Sequence, residues 1–298
     1  MSSVVRALGE AGARLTPGAP LHKLAFWRVG GPAELLVEVH TLDQLVIAMA
    51  FEGPITVLGR GSNALIHSAG IPGLTLRLRG ELAEVELEGH IARVGGGLWL
   101  NVLLSRLDKA GLAGAEMLAG IPGTIGGAVV MNAGTTLGEL GDIVEDVTVV
   151  TRAGVVVLPA SACGFGYRRS ALPEGVVAFA RLRLVEDDGS RAASRQDFLE
   201  RRKRTQPLSS PSCGSTFTNP EGDHAARLID AAGLKGHRIG GAVISEKHAN
   251  FFLNEGGATP EDIAALIRHA RAVVRERFGV DLEPEVKLLG PWPEGSLG

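Results

Sequence analysis

Two glycine-rich stretches hold the residues of this chain best suited to gripping a large ligand. Residues 55–66 read ITVLGRGSNALI, a β-branched run that ends in Gly59-Arg60-Gly61-Ser62-Asn63 and then turns apolar again. The spacing Gly59-x-Gly61-x-x-Ala64 after a strand matches the core of a dinucleotide-binding fingerprint. That fingerprint needs a helix behind the glycines, so that the helix N-terminus faces a pyrophosphate. No helix fits, because Gly70, Pro72 and Gly73 interrupt the chain soon after Ser62 and LTLRL then reads as a strand. Two readings stay open. Consecutive backbone N–H groups form an anion-binding nest, with side-chain donors from Ser62 and Asn63, or the loop is a tight turn joining two strands. The second stretch, GIPGTIGGAVVMNAG at 120–134, crowds Gly120, Gly123, Gly126 and Gly127 together, fixes one φ at Pro122, and is apolar apart from Thr124 and Asn132. Apolar, glycine-dense backbone suits a flat ligand lying against the main chain; the alternative is a buried loop packed on a sheet.

The elements around these stretches follow from composition and pattern. The chain has 298 residues, is 45% hydrophobic and 21% charged, and contains 41 glycines. It has the length for two or three domains with buried cores. A net charge of −3 gives no basic field for nucleic acid, and no apolar run approaches a membrane span. The N-terminus MSSVVRALGEAGARL has no signal-peptide core, and two cysteines, Cys163 and Cys213, do not make a disulfide framework, which favours a cytoplasmic protein. A helix is expected over 2–11, strands over 34–39 and 55–58, and a helix over 42–51 between them. Strands follow at 74–78, 85–88 and 91–94, then a helix over 98–109 that Gly111 closes. Further strands are expected at 129–131, 143–150, 155–158 and 176–184, the last alternating as a half-buried strand does. Residues 186–195, EDDGSRAASR, read as a linker before the helical FLERRKRT. Beyond it come a helix over 225–232, short strands at 242–244 and 251–253, and a final strand in LEPEVKLLG. Thr259-Pro260-Glu261-Asp262 is a strong helix start, with a Thr N-cap, Pro at the first helical position and acids in the first turn.

Read in order, GRGSNAL, AEMLAGIPGTIGGAVVMNAG, GYRRS, PSCGSTFTNP, AARLIDAAGLKGHRIGGAVISEKHANFFLNEGGATPEDI and LEPEVKLLG resemble the UDP-N-acetylenolpyruvoylglucosamine reductase family of peptidoglycan synthesis. The resemblance runs from about Leu24 to Gly290. It implies an α+β, three-domain flavoenzyme, with a two-domain FAD-binding unit of the vanillyl-alcohol-oxidase type and a C-terminal α+β substrate domain. The divisions implied are 1–69, joined by a returning strand in 283–298, then 70–190 and 191–282. No insertion follows the GYRRS motif, and Tyr167 inside it is the only tyrosine, so the chain is similar to the family's shorter form. The implied reaction is reduction of an enolpyruvyl ether to a lactyl ether, with non-covalent FAD as hydride carrier and NADPH as co-substrate. The implied partners are these small molecules, with no nucleic acid or membrane, and the protein would be a monomer.

The resemblance also assigns roles. Ser215 matches the proton donor, Arg168 the arginine that holds the developing enolate, and Glu285 the third catalytic residue, with Glu283 two positions away. Gly59, Arg60, Gly61, Ser62 and Asn63 would hold the FAD pyrophosphate. Gly120, Ile121, Pro122, Gly123, Thr124, Gly127 and Ala128 would line the rest of the cofactor. Asn219, His248 and Tyr167 are implied at substrate-lining positions. Lys203 and Arg204, in the run Arg201-Arg202-Lys203-Arg204, either meet the UDP diphosphate or belong to a solvated helix face. No metal site is implied.

Overall fold

The run Val176–Arg183 is the middle strand of a five-stranded antiparallel sheet, ordered Gly154–Pro159, Val144–Thr151, Val176–Arg183, Ile91–Gly95, Val85–Glu88. Along its first half both faces are covered. Val177, Ala180 and Leu182 join one apolar cluster, whereas Val176, Ala178 and Phe179 join another. The half-buried alternation holds over Ala180–Arg183, where Arg181 and Arg183 are exposed, whereas Val176–Phe179 is covered on both faces by packing on each side of the sheet, with register shifts at Val144/Asp146 and Thr148/Val149. A four-stranded sheet, ordered Arg14–Pro17, Ala33–Val39, Ile71–Leu78, Ile55–Val57, carries the helices Ser3–Glu10 and Leu42–Met49 against its apolar face, where Leu74, Leu76 and Leu78 are buried with Leu8, Val37 and Leu45.

The computed structural model describes residues 3–298. The chain forms two compact units. One consists of Met1–Pro17, Leu35–Arg60 and Gly73–Leu199, and contains both sheets above. The other consists of Gly18–Glu34, Gly61–Pro72 and Glu200–Gly298. In this second unit a three-stranded antiparallel sheet, Arg238–Ile239, Ala242–Ile244, Phe252–Asn254, packs with the helices Ala225–Ala231 and Pro260–Phe278 around Trp27, Leu65, Phe217 and Phe252. The last strand, Lys287–Leu289, runs parallel to Ala64–Ile66. Trp27 fixes its indole in this core by donating Nε1–H to the Phe252 carbonyl at 2.7 Å. Among the described residues no helix is long and apolar enough to cross a membrane, and both cysteines are buried thiols.

Two expectations change. Residues 129–131 are not a strand: Ile125–Val130 is a helix, capped by Thr124, whose Oγ1 accepts from Gly127 N. The valines favour a strand, but the helix lies on another backbone, with Gly126 N donating to Gly96 O at 2.7 Å, and tertiary packing overrides that local preference. The supposed linker 186–195 is also structured. Val185–Glu186 pairs with Leu112–Ala113, and a helix runs from Ser190 to Thr205. Asp187 and Asp188 do break the chain, but their carboxylates accept from Gly189 N and Ser190 N and so start the helix.

At the helix Pro260–Phe278 the start is as read: Thr259 Oγ1 accepts from Asp262 N at 3.1 Å and Asp262 Oδ2 accepts from Thr259 N at 2.9 Å, a reciprocal capping box. Thr259→Ala is expected to lower unfolding stability by about 1 kcal/mol, measured by denaturant titration of the purified protein.

Candidate active site

In the first unit the strand Ile55–Val57 delivers the chain to Gly59. A Cβ on Gly59 would stand 2.6 Å from Thr124 Oγ1, so the two glycine-rich stretches touch here because one residue has no side chain. Thr124 is held in turn: Leu100 N donates to Gly123 O and Ile125 N to Leu98 O, bracketing the Trp99–Thr124 bridge. The Arg60 guanidinium lies over the Trp99 ring, 4.2 Å from its centroid.

The donor set at the two turns suits an anionic ligand. Among the described residues, the N–H groups of Gly59, Gly61, Ser62 and Asn63 donate to no group of the chain, nor do those of Gly120, Gly123 and Thr124. Backbone donors left unbonded in succession are what a nest offers an anion. The side chain of Asn63 has a different task from the one expected. Its Nδ2 donates to the Glu285 carbonyl at 3.1 Å, while its own carbonyl accepts from Lys287 N. Gly61, at φ 63°, is pressed on the Leu24–Ala25 backbone, and its carbonyl accepts from Phe26 N.

The GYRRS motif is a tight turn in the first unit. Gly166 and Arg169 exchange both backbone hydrogen bonds, leaving Tyr167 and Arg168 at the corner. Arg168 has φ 57°, where glycine or asparagine is usual. Its Nη2 donates to Gly134 O at 2.9 Å, and its guanidinium stands 5.0 Å from the ring centroid of Tyr167, which is exposed. Buried Asn132, itself at φ 42°, holds the turn in place. Its Nδ2 donates to Glu139 Oε2 and Gly166 O, and its Oδ1 accepts from Gly141 N. Asn132 was visible as one of two polar residues in an apolar stretch, but that signal did not say what it bonds.

In the second unit the segment Ser215–Thr218 is bonded along both edges. Thr216 N donates to Asn250 O on one side, and Ser215 bridges Phe251. On the other side Glu285 N donates to Thr216 O at 2.9 Å and Thr218 N to Glu283 O at 3.0 Å. Ser215 and Glu285, far apart in sequence, therefore sit one residue out of register across a paired segment, with Thr216 directly opposite Glu285. Both are half-buried, whereas Glu283 is exposed. The Ser215 hydroxyl has no hydrogen-bond partner among the described residues. Asn250 is the residue that sequence reading missed. Its side-chain amide imitates a strand, with Oδ1 accepting from Phe217 N at 3.0 Å and Nδ2 donating to Phe217 O at 2.8 Å. The available signal was an asparagine just ahead of the apolar run in HANFF, a turn position that asparagine favours.

The remaining candidates lie in the same unit. His248 is half-buried, its Nδ1 has no partner, and its ring stands edge-on to Phe251 at 4.8 Å. Burial, aided by the charge of Lys235, pushes its pKa below the ordinary imidazole value, so the ring is neutral at pH 7. Asn219 is exposed, and its Oδ1 accepts from Ala225 N. Lys203 and Arg204 are exposed and the Lys203 carbonyl accepts from Lys247 Nζ, whereas Arg202 is the half-buried cation of the run, its Nε bonded to Gln206.

Open glycine turns with unbonded donors, set on a β-rich unit, are the parts of a flavin-nucleotide-binding protein, and a family model described as an FAD binding domain matches residues 33–158. A model of the C-terminal domain of UDP-N-acetylenolpyruvoylglucosamine reductase matches residues 206–289. The reductase of that name from Anaeromyxobacter dehalogenans is 48% identical over 94% of this chain and 87% of its own length. The one from Myxococcus xanthus is 45% identical over 97% of this chain and 96% of its own. The crystal structure of the Thermus caldophilus enzyme superposes with a TM-score of 0.83 at 40% identity, covering 93% of this chain and 99% of that one. The chain belongs to the UDP-N-acetylenolpyruvoylglucosamine reductase family. FAD fits the residues present: in the first unit the N–H groups of Gly59, Gly120, Gly123 and Thr124 are unbonded donors, and a side chain at Gly59 would fill the gap between the Gly59 and Thr124 turns.

Asn250→Ala leaves the Phe217 N–H and C=O without partners, and is expected to cost about 2–3 kcal/mol of stability, read by urea unfolding. His248 titrates below its unfolded value of about 6.5, so the unfolded state takes up the proton first as pH falls. Its contribution is complete above that value and is lost through the lower folded pKa. Acidification from pH 7 to 5 should destabilise the wild type more than His248→Gln, compared by melting curves at each pH.

Proposed function

We propose that this chain catalyses the NADPH-dependent, FAD-mediated reduction of UDP-N-acetylglucosamine enolpyruvate to UDP-N-acetylmuramate, a step in peptidoglycan precursor synthesis. The observation that carries this reading is 48% identity to a reductase of that name across 94% of the chain. Bound FAD supplies hydride transfer, from NADPH to the β-carbon of the enolpyruvyl group. Gly59, Arg60, Gly61, Ser62 and Asn63 hold its pyrophosphate through main-chain N–H groups, and Gly120–Thr124, Gly127 and Ala128 line the remainder.

The residues of the chain do the acid–base and electrostatic work. Negative charge develops at the substrate α-carbon and spreads into its carboxylate. Arg168 meets that charge with a planar guanidinium able to give two parallel hydrogen bonds. Ser215 donates the proton to the α-carbon; an alcohol is a weak acid, but an enolate carbon is a strong enough base when the two are aligned. Glu285, rather than the exposed Glu283, polarises the double bond or returns a proton to Ser215. Asn219, His248, Tyr167, Lys203 and Arg204 contact the nucleotide-sugar. In this reading the division into 1–69, 70–190 and 191–282 describes two cofactor domains and one substrate domain, in a cytoplasmic monomer of the family's shorter form.

The test is anaerobic. Wild-type protein reduced by NADPH should reoxidise when the enolpyruvyl UDP-sugar is added, followed by flavin absorbance. Ser215→Ala should be reduced at the normal rate but turn over roughly 10³-fold more slowly. Flavin that stays reduced in the wild type overturns the assignment, and fast reoxidation by oxygen without response to the sugar would point to an oxidase instead.

A further inference from the structure

The polar face of the four-stranded sheet carries a cation that the proposed chemistry has not used. Along Ile71–Leu78, the residues Leu74, Leu76 and Leu78 point into the apolar core, so Thr75 and Arg77 occupy the opposite face. Both are buried polar groups with hydrogen-bonding capacity unmet. Thr75 is fully buried and its Oγ1 has no partner; Arg77 is half-buried and its Nε has none. Native chains rarely leave such groups unsatisfied, and unmet ones ask for a ligand or water.

The charge balance points the same way. Glu38 is the acid that acts on Arg77, and it is already engaged, 3.0 Å from Arg79 Nε and 3.7 Å from Arg14 Nη1. Three guanidinium groups thus share one carboxylate. Burial first, and then the neighbouring Arg79, push the Arg77 pKa down, with Glu38 opposing. A half-buried cation in surplus is compensated most directly by an anion from outside the chain.

Strand register says where that anion would lie. Ile55–Val57 runs parallel to this strand, with Thr56 beside Thr75 and Val57 beside Leu76, and Leu58 N donates to Leu76 O. Arg77 therefore stands level with Leu58, at the point where the chain turns off into Gly59, whose N–H is unbonded. We propose that Arg77 is a cofactor-binding residue, its guanidinium reaching a phosphate oxygen of the flavin nucleotide at the Gly59–Arg60 turn. The proposal rests on the flavoprotein reading above and adds a residue to it. Main-chain donors alone would fix the position of the phosphate; a half-buried guanidinium adds a full charge.

The experiment compares FAD with riboflavin, which has the same ring system and no phosphate. Full-length protein stripped of flavin is titrated with each, following flavin fluorescence. Arg77→Met is expected to weaken FAD binding by about ten- to hundred-fold and to leave riboflavin binding within about two-fold of wild type. Arg77→Lys should fall between, and serves as the comparison if the methionine variant does not fold. Unchanged FAD affinity in a folded variant overturns the proposal, as does an equal loss for FAD and riboflavin, which would mark a structural residue. A wild-type protein that binds neither flavin would instead remove the flavoprotein reading itself, and the proposal with it.

Discussion

The segment that carries Ser215 needs a backbone that does not move, and it has one because every edge of it is bonded. Asn250 holds one side with its main chain and its side-chain amide together, and residues 283–285 hold the other. In the proposed role of Ser215 as proton donor, alignment counts for more than the acidity of the hydroxyl, and this short ladder would supply it. Asn63 extends it, since its amide ties the Glu285 carbonyl to the loop that begins at Gly61. One loop residue thus ties down the 285–287 segment twice, through its side-chain amide to Glu285 and through its carbonyl to Lys287.

In the first unit the equivalent constraint is closeness of approach. Gly96 and Gly97 have backbone atoms of Val177 and Leu78 where side chains would be, and Gly59 has Thr124. Each contact leaves no room for a Cβ, and Gly126 in the short helix Ile125–Val130 also comes close to the Gly96 backbone. Thr124 caps that helix while forming the wall of the Gly59 turn, so one residue joins local folding to the shape of a binding surface.

Local signals in the sequence were readable where local chemistry decides. Thr259 with Asp262 specified a capping box, and Gly111 specified a left-handed helix end, found at φ 67°. The same reasoning failed at Val129–Met131, where valines were read by propensity and the helix is set by contacts with Gly96. It failed at Ser190–Arg195 too, where two aspartates looked like a break and proved to be a helix start. At the candidate site, Gly59–Asn63 and Gly120–Ala128 stood out from glycine content alone. Ser215, Arg168 and Glu285 did not; only the resemblance singled them out, because their setting depends on pairings between distant segments. Asn250 and Arg77 stayed hidden for a related reason, since a polar residue beside or within a strand reveals nothing about its partner until the neighbouring segment is placed.

Arg168 occupies a corner of a hairpin where the backbone disfavours any side chain beyond a hydrogen, at roughly 1–2 kcal/mol. Glycine would make the same turn with less strain but without the guanidinium bond to the Gly134 carbonyl. Exchange for glycine would thus relax the backbone and give up the tether to Gly134 in the same step.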